Sequence, residues 1–153
     1  MRVLNVVVAD PDRKQRSESV KRIRKSRDLK IIGEAKDGLE AYTIARLKLA
    51  LVVLLEVGMP RMDSFEVIRQ IKAHCPGMRV VIWTSHDAGT YRALANLSGA
   101  DGFVLKSCTD EELLEALYGK TARQFRTEAS YLYETSRSNL IAREIQKDHE
   151  HTD

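Results

Sequence analysis

The sequence predicts an α/β fold: a five-stranded parallel sheet, doubly wound with helices on both faces, followed by a C-terminal helical extension. Two observations carry that expectation. Short apolar runs alternate with amphipathic stretches five times between residues 1 and 118. The runs are near-continuous in Val, Leu and Ile, as strands buried on both faces are, rather than alternating with polar residues. No internal repeat or low-complexity segment interrupts the pattern.

Each element has its own justification. Val3 to Ala9 is the first predicted strand, and 12–27 a helix with Val20 and Ile23 turned inward. Leu29 to Ala35 is the second strand, closed by Lys36-Asp37-Gly38, where Gly38 suits a turn needing positive φ. Leu39 to Lys48 is helical, with Ala41, Ile44, Ala45 and Lys48 at three-four spacing. Leu51 to Leu55 is the third strand, ending in a lone acid, Glu56, followed by Val57 and then Gly58-Met59-Pro60. Asp63 to His74 is the next helix, with Phe65, Ile68 and Ile71 as its apolar stripe, and Pro76-Gly77 stops it. Arg79 to Thr84 is the fourth strand, 88–97 a helix, and Phe103 to Leu105 the fifth strand. Thr109 to Tyr118 closes the series as a helix opened by a capping pattern, Thr109 with Glu112 three residues on.

A chain of 153 residues with 43% apolar content can build one domain with a real core and a short appendage. The boundary is expected at 118, with 119–153 a helical, partly disordered tail. Its apolar residues (Ala122, Phe125, Ala129, Leu132, Leu140, Ile141, Ile145) recur at helical intervals and suit packing on the domain or self-association. About 34 residues are too few for three helices of a DNA-binding output module plus a linker. No stretch approaches the roughly 20 apolar residues of a membrane span, and no signal-peptide pattern opens the chain. Cys75 and Cys108 lack metal-type spacing and read as free thiols in a reducing cytoplasm. Net charge is only +3, but Arg13, Lys14, Arg16, Lys21, Arg22, Arg24, Lys25 and Arg27 crowd one segment. A solvated helix face is the expected role, with a face for phosphates or an acidic partner as the alternative.

Chemistry concentrates at four strand ends. The first strand delivers Asp10, with Asp12 after Pro11; the third delivers Glu56; the fourth Thr84 and Ser85; the fifth Lys106. In open α/β sheets ligands bind at the carboxyl edge of the strands. Carboxylates there suit a hard cation such as magnesium, and a lysine with a hydroxyl suits the oxygens of a phosphoryl group.

On these residues the chain resembles the receiver domain of bacterial response regulators over residues 2–118. The carriers are VVVADPD at 6–12, EAKDGLEA at 34–41, LVVLLEVGMPRMDSFEVIRQIK at 51–72, VVIWTS at 80–85 and SGADGFVLKSCTDEELLEAL at 98–117. The spacing of Thr84 to Lys106, with Phe103 three before the lysine, also matches. The resemblance implies a flavodoxin-like (βα)5 fold and a phosphorylation switch. An aspartate at the end of strand three would take a phosphoryl group from a histidine kinase. Paired acids after strand one, the acceptor and a carbonyl two residues beyond it would hold magnesium. Those positions are Asp10, Pro11, Glu56 and Gly58 here. The resemblance further implies phosphoryl-contact positions at Thr84, Ser85 and Lys106, and a switch aromatic at Phe103. Within the family the similarity is to receivers that carry a C-terminal DNA-binding helix-turn-helix.

Two departures redirect the expectation. Glu56 stands at the acceptor position and Pro11 at that of the second acid. Glutamate is longer by one methylene, about 1.5 Å, and a misplacement on the order of 1 Å can cost about a hundredfold in attack. Its carboxylate can instead pair with Lys106 and reach towards Thr84, bringing one negative charge where a phosphate carries about −1.5 to −2. Ser64 and Ser85, replacing a glycine and an alanine common in the family, are smaller departures. The expected function is an atypical receiver acting in signal transduction as a phosphorylation-independent protein-interaction module, and not an enzyme. No catalytic residue or resident cofactor is expected, and magnesium at Asp10, Glu56 and Gly58 is expected to bind weakly or not at all. Expected partners are proteins of a signalling pathway, a histidine kinase or an output protein. A homodimer is expected through the tail or through helix four, strand five and helix five, with Tyr91, Leu94, Leu113 and Leu117 as candidates. One alternative is a single-domain phosphoacceptor using magnesium and Asp10 or Asp12; another is the receiver fragment of a DNA-binding transcriptional regulator. Nucleic-acid binding through the basic helix ranks last, and no membrane partner is expected.

Overall fold

Alternation of apolar runs and amphipathic stretches resolves into ten elements in the computed structural model, which describes residues 3–87, 89–119, 137 and 140. They are β1 (Leu4–Ala9), α1 (Arg13–Arg24), β2 (Leu29–Ala35), α2 (Gly38–Lys48), β3 (Val52–Leu55), α3 (Ser64–His74), β4 (Arg79–Thr84), α4 (Gly89–Ser98), β5 (Gly102–Leu105) and α5 (Asp110–Tyr118). The expected helical tail falls almost wholly outside the described residues. No helix among the described residues is long and apolar enough to cross a membrane.

The strands pair in parallel in the order β2-β1-β3-β4-β5. Because successive side chains of a strand point to opposite faces, each apolar run supplies two cores. Val7, Ala9, Val53, Leu55, Val80 and Ile82 face α2, α3 and α4 with Ala41, Ala45, Phe65, Ile68 and Ile71. Val6, Val8, Val52, Leu54, Val81 and Trp83 face α1 and α5 with Val20, Ile23, Leu113 and Leu117. This two-sided burial is why the runs carry no polar alternation.

Local chemistry sets the helix starts. Asp12, Asp37 and Asp63 each cap a helix by accepting a backbone N–H, from Gln15, Glu40 and Phe65. Thr109 and Glu112 form the reciprocal capping box expected for α5.

Two expectations are corrected. Gly38 is not among the residues with positive φ; a Cβ there would lie 1.8 Å from the carbonyl oxygen of Met62. Its N–H also donates to the carbonyl of Pro60 at 3.0 Å. The glycine is needed for close approach of two backbones. Gly38→Ala is expected to cost about 1–3 kcal/mol by overpacking, read from the urea midpoint; an unchanged midpoint would show that the 60–62 loop moves aside freely. The second correction concerns dimer candidates. Leu113 and Leu117 are buried within the α1/α5 core, because their four-residue spacing places both on the sheet-facing stripe of α5. Leu94 is exposed, and Tyr91 is half-buried with its ring stacked on Phe65.

Candidate functional site

Strand order reverses between β1 and β3, since β2 lies on one side of β1 while β3 to β5 run out on the other. Such a switch point opens a crevice at the carboxyl ends of the two strands. The backbone ladder continues into it. Asp10 N–H donates to Ala35 at 3.0 Å, Glu56 N–H to Ala9 at 3.0 Å, and Lys106 N–H to Thr84 at 2.8 Å. These bonds bring Asp10, Glu56 and Lys106, distant in sequence, to one edge.

There the Lys106 Nζ lies between two carboxylates, 2.5 Å from Asp10 Oδ2 and 2.7 Å from Glu56 Oε2. A third acceptor, Gln15 Oε1 from α1, stands at 2.5 Å. The remaining oxygens are also bonded: Asp10 Oδ1 accepts the N–H of Asp12, and Glu56 Oε1 accepts the N–H of Val57, both at 2.8 Å. Asp10 and Glu56 are buried, and only 18% of the Lys106 side chain is exposed. Burial alone would push the lysine pKa down, but hydrogen bonds to Asp10 and Glu56 outweigh it and hold the ammonium above its ordinary value. The group is charged throughout the physiological range.

The loop after Glu56 is stapled from behind. Ser64 is fully buried; its hydroxyl donates to the Glu56 carbonyl at 2.5 Å and accepts the Met59 N–H at 3.3 Å. Between those two bonds Gly58 takes φ +74 with open space around it. The Ser64 hydroxyl therefore ties the loop that carries position 56.

The other candidate residues lie apart from the ion cluster. Thr84 is buried, and its Oγ1 accepts the His86 N–H at 3.1 Å, while the Glu56 oxygens bond Lys106 and the Val57 N–H. Ser85 is exposed. Asp12 is exposed and turned to the N-terminus of α1, with Oδ1 2.9 Å from the Gln15 N–H. Phe103, half-buried on β5, lies beneath the Arg92 guanidinium of α4 at 4.6 Å from the ring centroid.

The donor set does not fit a magnesium ion as it is arranged. Magnesium requires several oxygens in near-octahedral array. Pro11 has no side-chain donor, Asp12 faces its helix cap, and the Asp10 and Glu56 oxygens converge on the lysine ammonium.

Reading motifs missed three contributors, all on the basic helix. Gln15 enters the cluster, and Arg22 donates to the backbone of the loop after β5. The basic run is thus not purely a solvated face. Arg13, Lys14, Lys21, Arg24, Lys25 and Arg27 are exposed, while Arg16 and Arg22 turn inward, Arg16 donating to the Asp10 carbonyl at 2.8 Å.

Similarity to known proteins agrees with this geometry. The profile described as "Response regulator receiver domain" matches residues 6–118. NarL of Mycobacterium tuberculosis, whose name describes a transcriptional regulatory protein, is 34% identical over 116 residues, covering 74% of this chain and 53% of NarL. The uncharacterized transcriptional regulatory protein YxjL of Bacillus subtilis is 33% identical over 90 residues, 59% of this chain and 41% of its own. The chain thus spans about half the length of these curated relatives, or less. Among solved structures, the signal receiver domain of M. tuberculosis NarL superposes with a TM-score of 0.73 at 29% identity, covering 78% of this chain and all of that one. A LuxR-family DNA-binding response regulator from Staphylococcus aureus gives 0.69 at 27% identity, covering 74% and 95%. The parallel sheet, its switch-point crevice and the match over 6–118 together place the chain in the response regulator receiver domain family.

Proposed function

We propose that this receiver is held in one state by its own ion cluster and acts as a phosphorylation-independent protein-interaction module in two-component signalling. One observation carries the reading: the Lys106 ammonium is already bonded to the Asp10 and Glu56 carboxylates, with the second oxygen of each turned to a backbone N–H. A phosphoryl group arriving at position 56 would have to displace the lysine from the carboxylate it must also react with. Thr84 keeps a separate bond to the backbone, so the reading assigns Thr84, Ser85 and Phe103 to inherited positions of a switch that does not turn in the usual way. No resident cofactor enters the reading.

The partner is a protein of a signalling pathway in the cytoplasm. Its contact face is α4–β5–α5, where a groove of about 520 Å³ is lined in part by Phe103, Leu105, Cys108 and Ala116 and Leu94 and Leu97 of α4 are exposed. Homodimerisation uses the same face, through α4 rather than the buried leucines of α5. A second reading places this receiver within a transcriptional regulator; the names of NarL, YxjL and the S. aureus protein, and the half-length match, favour it. The two readings are compatible, since an interaction module can serve a DNA-binding partner or domain.

Incubation of the purified chain with acetyl phosphate and magnesium tests the central claim. Intact-mass analysis is expected to find no hydroxylamine-labile acyl phosphate. An adduct mapped to Glu56, Asp10 or Asp12 would replace the proposal with the phosphoacceptor reading.

A further inference from the structure

Lys106 leaves the sheet at the end of β5, a four-residue edge strand of half-buried residues. The sheet gives it a single ladder bond, N–H to Thr84, and the stem of a lysine is long and costly to immobilise. Something else has to hold it where both carboxylates can be reached.

Helix α1 makes the additional contacts. Gln15 and Arg22 are seven residues apart, two helical turns, and so share one face. From the upper turn, Gln15 Oε1 accepts from the Lys106 ammonium at 2.5 Å. From the lower turn, Arg22 Nη1 donates to the Lys106 backbone carbonyl at 2.9 Å, and Nη2 donates to the carbonyl of Cys108. Arg22 Nε is bonded to Asp110 Oδ1 at 2.7 Å, and the guanidinium lies 5.5 Å from the ring centroid of Trp83. The planar fork of arginine is pre-organised for several acceptors at once, which lysine is not.

We infer that α1 is the positioning element for Lys106, gripping the residue at both ends: Gln15 on the ammonium and Arg22 on the main chain. The two carboxylates supply the charge that Lys106 answers; α1 decides where the ammonium stands. Removing the Gln15 and Arg22 contacts therefore displaces the cation of the cluster while the bonds of Arg16 and Asp12 to Asp10, and of Val57 to Glu56, stay in place. The inference holds whether or not position 56 accepts a phosphoryl group, because its contacts are to Lys106 and to the loop that follows it.

The test uses the full chain labelled with 15N and reads lysine ammonium signals, which persist in proton-nitrogen NMR spectra only where hydrogen bonds shield the protons from exchange. Among the described residues two lysines with largely covered ammonium groups are expected to give them. One is Lys106, assigned by its loss in Lys106→Arg. The other is Lys72, held by the Met78 carbonyl at 2.8 Å and Asp101 at 2.5 Å on α3, which serves as internal control. Gln15→Ala, an exposed substitution, is expected to broaden or abolish the Lys106 signal and leave that of Lys72 in place. Arg22→Lys keeps the charge but loses the planar fork whose separate nitrogens reach Lys106, Cys108 and Asp110 together, and is expected to shift or broaden the same signal. Where Arg22→Lys does not fold, Arg22→Gln carries the same expectation. A merely structural role would lower stability and weaken both signals together. A Lys106 signal unmoved in either folded variant overturns the two-ended grip.

Discussion

Lys106→Met is expected to lower stability by about 3–5 kcal/mol, because it leaves the buried carboxylates of Asp10 and Glu56 facing each other without their cation. The lower end of that range is the better expectation, since part of the lysine side chain remains in contact with water. Adding Asp10→Asn and Glu56→Gln should recover most of the loss, as neutralising a whole buried cluster costs far less than removing one partner. Urea denaturation at neutral pH measures both. A loss below about 1 kcal/mol for the single variant would mean the cluster behaves as an exposed pair. The sign of the pH dependence follows from the raised pKa of Lys106. A group raised in the folded state contributes fully below its unfolded value and ceases to contribute as pH rises through the folded one. The contribution of Lys106 is therefore flat across neutral pH and falls away only above the ordinary lysine value of 10.5. Lys106→Met should lack that alkaline loss.

Glu56→Asp is expected to raise phosphoryl uptake from acetyl phosphate by on the order of a hundredfold, the gain associated with correcting a misplacement of about 1 Å. The extra methylene lets the present carboxylate reach both Lys106 and the Val57 N–H; the shorter acid withdraws by about 1.5 Å and leaves room for the incoming group. Pro11 continues to withhold a carboxylate, so a further gain is expected from adding Pro11→Asp. Quantitative intact-mass time courses separate the contributions. If Glu56→Asp matches the parent and only the double variant accepts, Pro11 is the barrier. If neither accepts, the two substitutions do not explain the closed state. The tie from Ser64 to the Glu56 carbonyl would then be the next residue to change.

Much of the domain was legible because each signal was local. The run ending at Glu56 read as a buried strand because it lacks polar alternation, and β3 is buried along its length. Thr109 and Glu112 predicted the start of α5 because a capping box involves only four consecutive residues. Reasoning failed where a distant segment supplied the cause. Gly38 was assigned a turn conformation, yet the constraint is the Met62 backbone, brought alongside by the packing of α2 against the loop before α3. Leu113 and Leu117 looked like interface residues until the sheet covered them. In the site, Asp10, Glu56 and Lys106 were recognisable as strand-end residues, whereas Gln15 belongs to no motif and Arg22 was one cation among eight in a basic run.

Taken alone, the sequence determined the α/β class and the strand ends that carry charge. These are properties of hydrophobic period and residue type, which are written along the chain. Only the tertiary structure decided that one ammonium neutralises both Asp10 and Glu56, that Asp12 caps a helix instead of joining them, and that α1 reaches across to hold Lys106. The physical reason is that hydrogen bonds and ion pairs extend over only a few ångströms. Which partners come within that reach depends on how the helices settle against the sheet, and no spacing in the sequence encodes it.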